Sequence, residues 1–328
     1  MPRSPRSSRL LASFALAAAA GTALPGALAC NRCDLYYLPI EWQAEEVPVD
    51  ADLFAVAVAK GVVVAVGDGG AIARQAGEGA WTAPASATDA ALRGVEFATA
   101  EVVIAVGEGG VVVRSVDAGE TWAVVDAGVT DDLAAVGCHE AGTCVAAGDG
   151  VLLVSTDAGA SWAPPASAPA ELGALRAVGV NNGYDEFVAV GLAGAIVISP
   201  DAQTWTAVPG ASADFHAVAL TASDWALGGA DGALIILANG VLIDLSQFDR
   251  ATITGLTREG EWMARADGVV VHGYPAWAED GGGVRTEEEL PPLHAVVAIG
   301  DEAVVVGDDG TVGRVRLAEE RECDRRYH

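Results

Sequence analysis

The chain of 328 residues contains a single lysine, Lys60, and 18 basic residues in all against 45 acidic ones, for a formal net charge of −27. A surface of that sign repels a polyphosphate, which excludes nucleic acid as a partner. The five histidines, His139, His216, His272, His294 and His328, are widely scattered, and neither a G-x-S-x-G nor a Walker pattern occurs. Serine-hydrolase, zinc-hydrolase and phosphate-loop chemistry therefore have no foothold. No segment carries a helical period. Although 52% of residues are apolar, nothing after residue 29 approaches twenty uninterrupted apolar residues, so no bilayer span is expected.

The first thirty residues do have a pattern. Arg3, Arg6 and Arg9 precede an apolar run from Leu10 to about Ala23, and Ala27-Leu28-Ala29 ends it with the small-x-small signature of signal-peptidase cleavage. Residues 1–29 read as a signal peptide, so the product is expected to be exported: periplasmic, cell-surface or secreted. Removing those three arginines from the 18 basic residues leaves 15 against 45 acidic, about −30. Cys30 directly follows the cut, where a lipoprotein carries its acyl chains. The lipobox is half matched, since Ala27 stands where a strong motif has Leu. Such an anchor would be the only membrane attachment.

Beyond the leader the chain repeats. AVGDGG (65–70), AVGEGG (105–110), AAGDG (146–150), AVGLAG (189–194), LGGADG (227–232), ARADG (264–268) and VVGDDG (305–310) place their final glycines 40, 40, 44, 38, 36 and 42 residues apart. That period fits a four-stranded propeller blade. Each unit runs as an inner strand, a hairpin into a β-branched second strand, the Gly turn, a third strand and a Trp-led fourth. The expected fold is all-β: a seven-bladed propeller over residues 39–318, preceded by an arm at 30–38 and followed by a tail at 319–328.

The seventh unit lacks a fourth strand, and PIEWQAEEV (39–47) supplies one, with Trp42 in the place of Trp81, Trp122, Trp162 and Trp205. Closing the ring with the first strand removes exposed edges. The tryptophans are expected to fill the space between blades. Cys138 and Cys144 bracket an inner hairpin of the third blade and should be bonded. Cys33 and Cys323 flank the seam, where a bond would contribute about 2–4 kcal/mol. That pairing leaves Cys30 for acylation; alternatively Cys30 rather than Cys33 pairs with Cys323.

Two octamers forty residues apart, SVDAGETW (115–122) and STDAGASW (155–162), follow the pattern S-x-D-x-G-x-[ST]-W, and SPDAQTW (199–205) is a shortened third copy. With the Gly turns, residues 34–318 resemble the photosystem II stability and assembly factor family, seven-bladed propellers related in repeat design to sialidases and other Asp-box proteins. The resemblance implies that Asp117, Asp157 and Asp201 cap turns rather than catalyse. It also implies a scaffold that holds another protein. That family associates a basic surface with partner contact, whereas these blades hold few arginines, the nearest to a cluster being Arg314, Arg316, Arg321, Arg325 and Arg326.

Propeller connectivity gathers the acidic residues. The second-to-third-strand turns contribute Asp68, Glu108, Asp149, Asp231, Asp267, Asp308 and Asp309, and the blade-to-blade loops on the same face add residues such as Asp52, Asp131, Asp132 and Asp214. The expectation is a monomeric, non-catalytic binding or scaffold propeller whose acidic face meets a protein or cationic ligand. No cofactor is called for and no metal site; weak Ca²⁺ binding is the most such rings offer, because no D-x-D-x-D loop with a terminal Glu occurs. The alternative, a sialidase-like or other polysaccharide-active enzyme, needs converging arginines, a Tyr nucleophile and an acid/base carboxylate. Tyr36, Tyr37, Tyr184, Tyr274 and Tyr327 are poorly placed for it.

Overall fold

The computed structural model describes residues 40–246, 250–257, 261–272, 284–285 and 290–317. β1 (Ile40–Ala44) comes first in the chain but belongs to the last blade. Blade one is β2 (Leu53–Ala59), β3 (Val62–Gly67) and β4 (Ile72–Ala76). Blade two is β5 (Leu92–Phe97), β6 (Val103–Gly107), β7 (Val112–Ser115) and β8 (Ala123–Val125). Blade three is β9 (Leu133–Cys138), β10 (Cys144–Gly148) and β11 (Leu152–Ser155). Blade four is β12 (Leu175–Asn181), β13 (Glu186–Gly191), β14 (Ile196–Ser199) and β15 (Thr206–Ala207).

Blade five is β16 (Phe215–Leu220), β17 (Trp225–Gly229), β18 (Leu234–Ala238) and β19 (Val241–Asp244). Blade six is β20 (Ile253–Leu256), β21 (Trp262–Arg265), β22 (Val270–His272) and β23 (Val284–Arg285). Blade seven is β24 (Leu293–Ile299), β25 (Glu302–Gly307) and β26 (Val312–Leu317). β1 pairs antiparallel with β26, Trp42 opposite Val315, and so completes the seventh sheet from the other end of the chain. The indole of Trp42 lies over Gly313, where a Cβ would strike its six-membered ring.

The chain closes because each sheet is apolar on both faces. Seven clusters of buried side chains fill the seven junctions between successive blades. One of them joins Val304, Val306 and Val312 of blade seven to Leu53, Val63 and Trp81 of blade one. The five outer-segment tryptophans each pack toward the preceding blade: Trp81 on blade seven, Trp122 on one, Trp162 on two, Trp205 on three and Trp42 on six.

Blades one and three depart from four full strands. Their outer segments make only a single bridge, Thr82 to Arg74 and Ala163 to Val154. Pro84 follows two residues after Thr82, and Pro164 and Pro165 follow Ala163 directly. Proline has no N–H to extend the ladder. Cys138 and Cys144, opposite each other in the β9–β10 register, are disulfide-bonded. Cys30, Cys33 and Cys323 lie outside the described residues, as do residues 1–39 and 318–328. Among the described residues no helix is long and apolar enough to cross a membrane.

Candidate functional site: the mouth on the turn face

The Val-Gly-x-x-Gly turn is built from two glycine requirements. At Gly107 a Cβ would strike the carbonyl oxygen of Ala91, which receives the next residue's N–H: Glu108 N–H donates to Ala91 at 3.0 Å. At Gly110 the backbone is left-handed, φ 72°. All seven blades repeat the first bond. Asp68, Glu108, Asp149, Leu192, Ala230, Ala266 and Asp308 donate N–H to the carbonyls of Asp52, Ala91, Asp132, Ala174, Asp214, Thr252 and Pro292, the residues entering their own inner strands. The turns and the blade-to-blade loops are thereby fixed together on one face.

Three of those entering residues also bind the preceding blade. The carboxylate of Asp132 accepts from Gly109 N–H at 2.7 Å, that of Asp214 from Ala193 N–H at 2.7 Å and that of Asp52 from Asp309 N–H at 2.9 Å. Each donor is a left-handed residue, φ 66°, 54° and 54°. One aspartate thus ties two blades at junctions seven–one, two–three and four–five. Its carbonyl serves its own blade and its carboxylate the one before.

Inside this rim is a ring that sequence reasoning did not assemble. Every inner strand carries a bulge after its first residue. A bulge re-aims the unpaired residue, and here that residue is Phe54, Arg93, Ala134, Arg176, His216, Thr254 and His294 in blade order. The Arg93 guanidinium sits 4.2 Å over the Phe54 ring, and Phe54 meets His294 edge-on at 5.5 Å between centroids. His216 and His294 are matched by strand position, and the bulge adds Phe54, Arg93 and Arg176 to the same set.

The acidic turn residues divide accordingly. Glu108 pairs with Arg93 at 2.5 Å, Asp149 with Arg176 at 2.5 Å, and Asp308 with the His294 Nε2 at 2.6 Å. Asp267 receives Arg265 through two bonds, at 3.0 and 2.5 Å. The Asp132 carboxylate caps the blade-two turn at Gly109. Asp68, Asp131, Asp231 and Asp309 are exposed, and their carboxylates engage no group among the described residues. Burial holds His216 below the ordinary imidazole value, against the pull of Asp214. Among the described residues no group of three His, Cys, Asp or Glu is placed to hold a metal ion.

Asp117, Asp157 and Asp201 lie at the far ends of the third strands, away from this mouth. Asp117 accepts from Thr121 N–H at 2.8 Å, Thr121 Oγ1 at 2.6 Å and Ser115 Oγ at 2.7 Å. Partial burial raises its pKa, but these bonds prevail and hold the carboxyl at about 2. The Ser161 hydroxyl, its N–H and Ser155 do the same for Asp157, also at about 2, while Thr204 N–H leads in lowering Asp201. The third-strand arginine of one blade reaches the next such turn: Arg74 Nε donates to Ala118 O and Arg114 Nε to Ala158 O, each at 2.7 Å. Arg314 and Arg316 are engaged by Glu45, Glu302 and Glu41, so they form no free basic patch.

No protein-family profile matches the chain, and no curated protein does. Solved structures do. YCF48 bound to a D1 peptide superposes with a TM-score of 0.66 at 15% identity, covering 86% of this chain and 100% of that one. YCF48 from Cyanidioschyzon merolae gives 0.65 at 14% identity, covering 84% and 98%. The likeness is one of fold. It extends over most of this chain and nearly all of each of the two others.

Proposed function

We propose that the chain is an exported, non-catalytic binding or assembly propeller whose turn-face mouth takes a polypeptide bearing basic side chains. The observation that carries this reading is the division of the acidic rim. Glu108, Asp132, Asp149, Asp267 and Asp308 are engaged within the fold, whereas Asp68, Asp131, Asp231 and Asp309 present free charge around a central ring containing Phe54, Arg93 and Arg176. Complementary charge of that kind steers association and fixes register. The fold of a YCF48 solved with a D1 peptide supports peptide binding as the class of activity.

A sialidase-type reaction has little support at this mouth. Arg93 and Arg176 each face a carboxylate, and Tyr184, the one tyrosine among the described residues, lies on the opposite hairpins and is 83% exposed. The reading extends to the leader: residues 1–29 are removed, Cys30 is acylated, and Cys33 bonds Cys323 across the seam. Metabolic acyl labelling lost in Cys30→Ala, with non-reducing peptide mapping, checks those three points. The mouth is tested with the quadruple variant D68N/D131N/D231N/D309N against a lysine-rich peptide and its glutamate counterpart. At about 0.5 kcal/mol per exposed charge, the variant should bind the basic peptide about 10- to 30-fold more weakly, with a reduced salt dependence. Unchanged affinity, or preference for the acidic peptide, would overturn the reading. Titration with Ca²⁺ in the same assay should show at most weak competition.

A further inference from the structure

The opposite mouth of the ring contains a cavity of about 560 Å³, bounded by the first-to-second-strand hairpins of blades one to four. Val58, Val178 and Val180 give it aliphatic walls, and Lys60, Glu96 and Glu140 are the ionisable groups that line it. Lys60 and Glu140 sit on hairpin tips and are exposed. Asn182 and Glu140 satisfy each other, through Glu140 N–H to Asn182 Oδ1 at 3.2 Å and Asn182 Nδ2 to Glu140 at 3.4 Å.

Glu96 is different. It is half-buried on an inner strand, at a register position filled elsewhere by Ala57, Gly137, Gly179, Ala219, Thr257 and Val297. The repeat asks for a small or uncharged residue there, and only blade two supplies a carboxyl. Its Oε1 accepts from the N–H of its own neighbour, Phe97, at 2.8 Å. The carboxylate has four lone-pair sites, so capacity remains for a ligand. Burial pushes its pKa up to about 7, with the Phe97 bond opposing. A group kept at such a disadvantage to the fold, inside a cavity, marks a site.

We propose that this cavity binds a primary ammonium on an aliphatic stem, with Glu96 as its counter-ion and Val58, Val178 and Val180 packing the stem. The site is independent of the turn face, at the other end of the ring, and either reading can fail without the other. The chemistry fits a lysyl side chain or a free diamine. The overall negative charge draws cations toward either mouth. Bound ammonium stabilises the charged carboxylate, so binding near pH 6 releases a proton from Glu96.

The experiment is calorimetric titration of the full chain with n-pentylammonium at pH 6 in two buffers of different ionisation enthalpy, with hexanoate as the anionic control. Nα-acetyl-lysine methylamide and 1,5-diaminopentane then form two arms, and the tighter of them identifies the source. Glu96→Gln, which removes a desolvated charge and preserves shape, should bind at least ten-fold more weakly and release no proton. Carboxyl carbon NMR of the wild type should show the Glu96 titration moving to lower pH when the amine is added. Equal binding by Glu96→Gln, binding of hexanoate in preference to the amine, or an unmoved Glu96 titration would overturn the proposal.

Discussion

Asp132 tests whether the rim acids fall into two kinds. Its carbonyl accepts Asp149 N–H at 3.1 Å and its carboxylate accepts Gly109 N–H at 2.7 Å. Asp132→Ala deletes only the second bond. Gly109 is exposed, so water can replace the carboxylate, and the loss should resemble that of a capping side chain, about 1 kcal/mol, rather than that of an orphaned buried donor. Asp52→Ala and Asp214→Ala remove the corresponding bonds at two other junctions that share no partners with this one. The three losses should therefore add to about 3 kcal/mol. With roughly 2 cal/mol/K of unfolding entropy per residue over about 280 residues, each kcal/mol shifts Tm by about 2 °C. The triple variant should melt about 5 °C lower in scanning calorimetry.

The replacement chosen separates charge from hydrogen bonding. Asp132→Asn keeps an Oδ1 acceptor and removes the charge, so it should recover most of the lost stability. An Asn variant as unstable as the Ala variant, or an Ala variant with unchanged Tm, would refute the capping role. By contrast, Asn at Asp68, Asp131, Asp231 and Asp309 should leave Tm within about 1 °C, since their carboxylates engage no group among the described residues and surface changes of this kind rarely exceed about 0.5 kcal/mol.

Asp117 and Asp157, held at about 2 against an ordinary 3.8, contribute stability that is fully present above about pH 4 and lost as pH falls toward 2. The double variant D117N/D157N should therefore be less stable at pH 7, by about 1 kcal/mol per site after allowance for solvent screening, and should show a flatter profile below pH 4 in urea titrations. Glu96 has the opposite sign: its raised value means stability declines as pH rises from about 4.5 through 7. Glu96→Gln should gain about 1–2 kcal/mol at pH 8 and almost nothing at pH 4. Gly313→Val would drive a side chain into the Trp42 indole. It should cost about 2–4 kcal/mol and weaken closure by β1, read as a lower Tm and faster proteolysis at the N-terminal strand.

The ring was legible because its determinants are local and repeated. The second glycine of the turn, Gly70 in the first unit, recurs in all seven units 36 to 44 residues apart, and the first, Gly67, in six of them, Arg265 standing in its place in blade six. Trp42 could be assigned to the seventh blade because four other tryptophans marked the equivalent position. The shortened outer strands of blades one and three were readable in principle from Pro84, Pro164 and Pro165, but the Trp that precedes them dominated the pattern. The mouth was less legible. Placing acids on one face needed only connectivity, whereas deciding which were free needed the positions of Arg93, Arg176, Arg265 and His294, each brought to its acid by backbone geometry.

A sevenfold repeat carries its own reference, because every position has six counterparts that show what the fold alone requires. Ala91, Ala174, Thr252 and Pro292 occupy the junction position of Asp52, Asp132 and Asp214, so a junction can close on its backbone bond and the aspartates add a second tie. Ala134 and Thr254 occupy the bulge position of Phe54, Arg93 and Arg176, so nothing in the bulge demands an aromatic or a guanidinium. Five small or apolar residues and one threonine occupy the position of Glu96. Departures that add reinforcement are explained by stability. Those that place a cation, a ring or a carboxyl on an inner strand, at positions other blades fill without one, are the residues on which the two proposed binding sites rest.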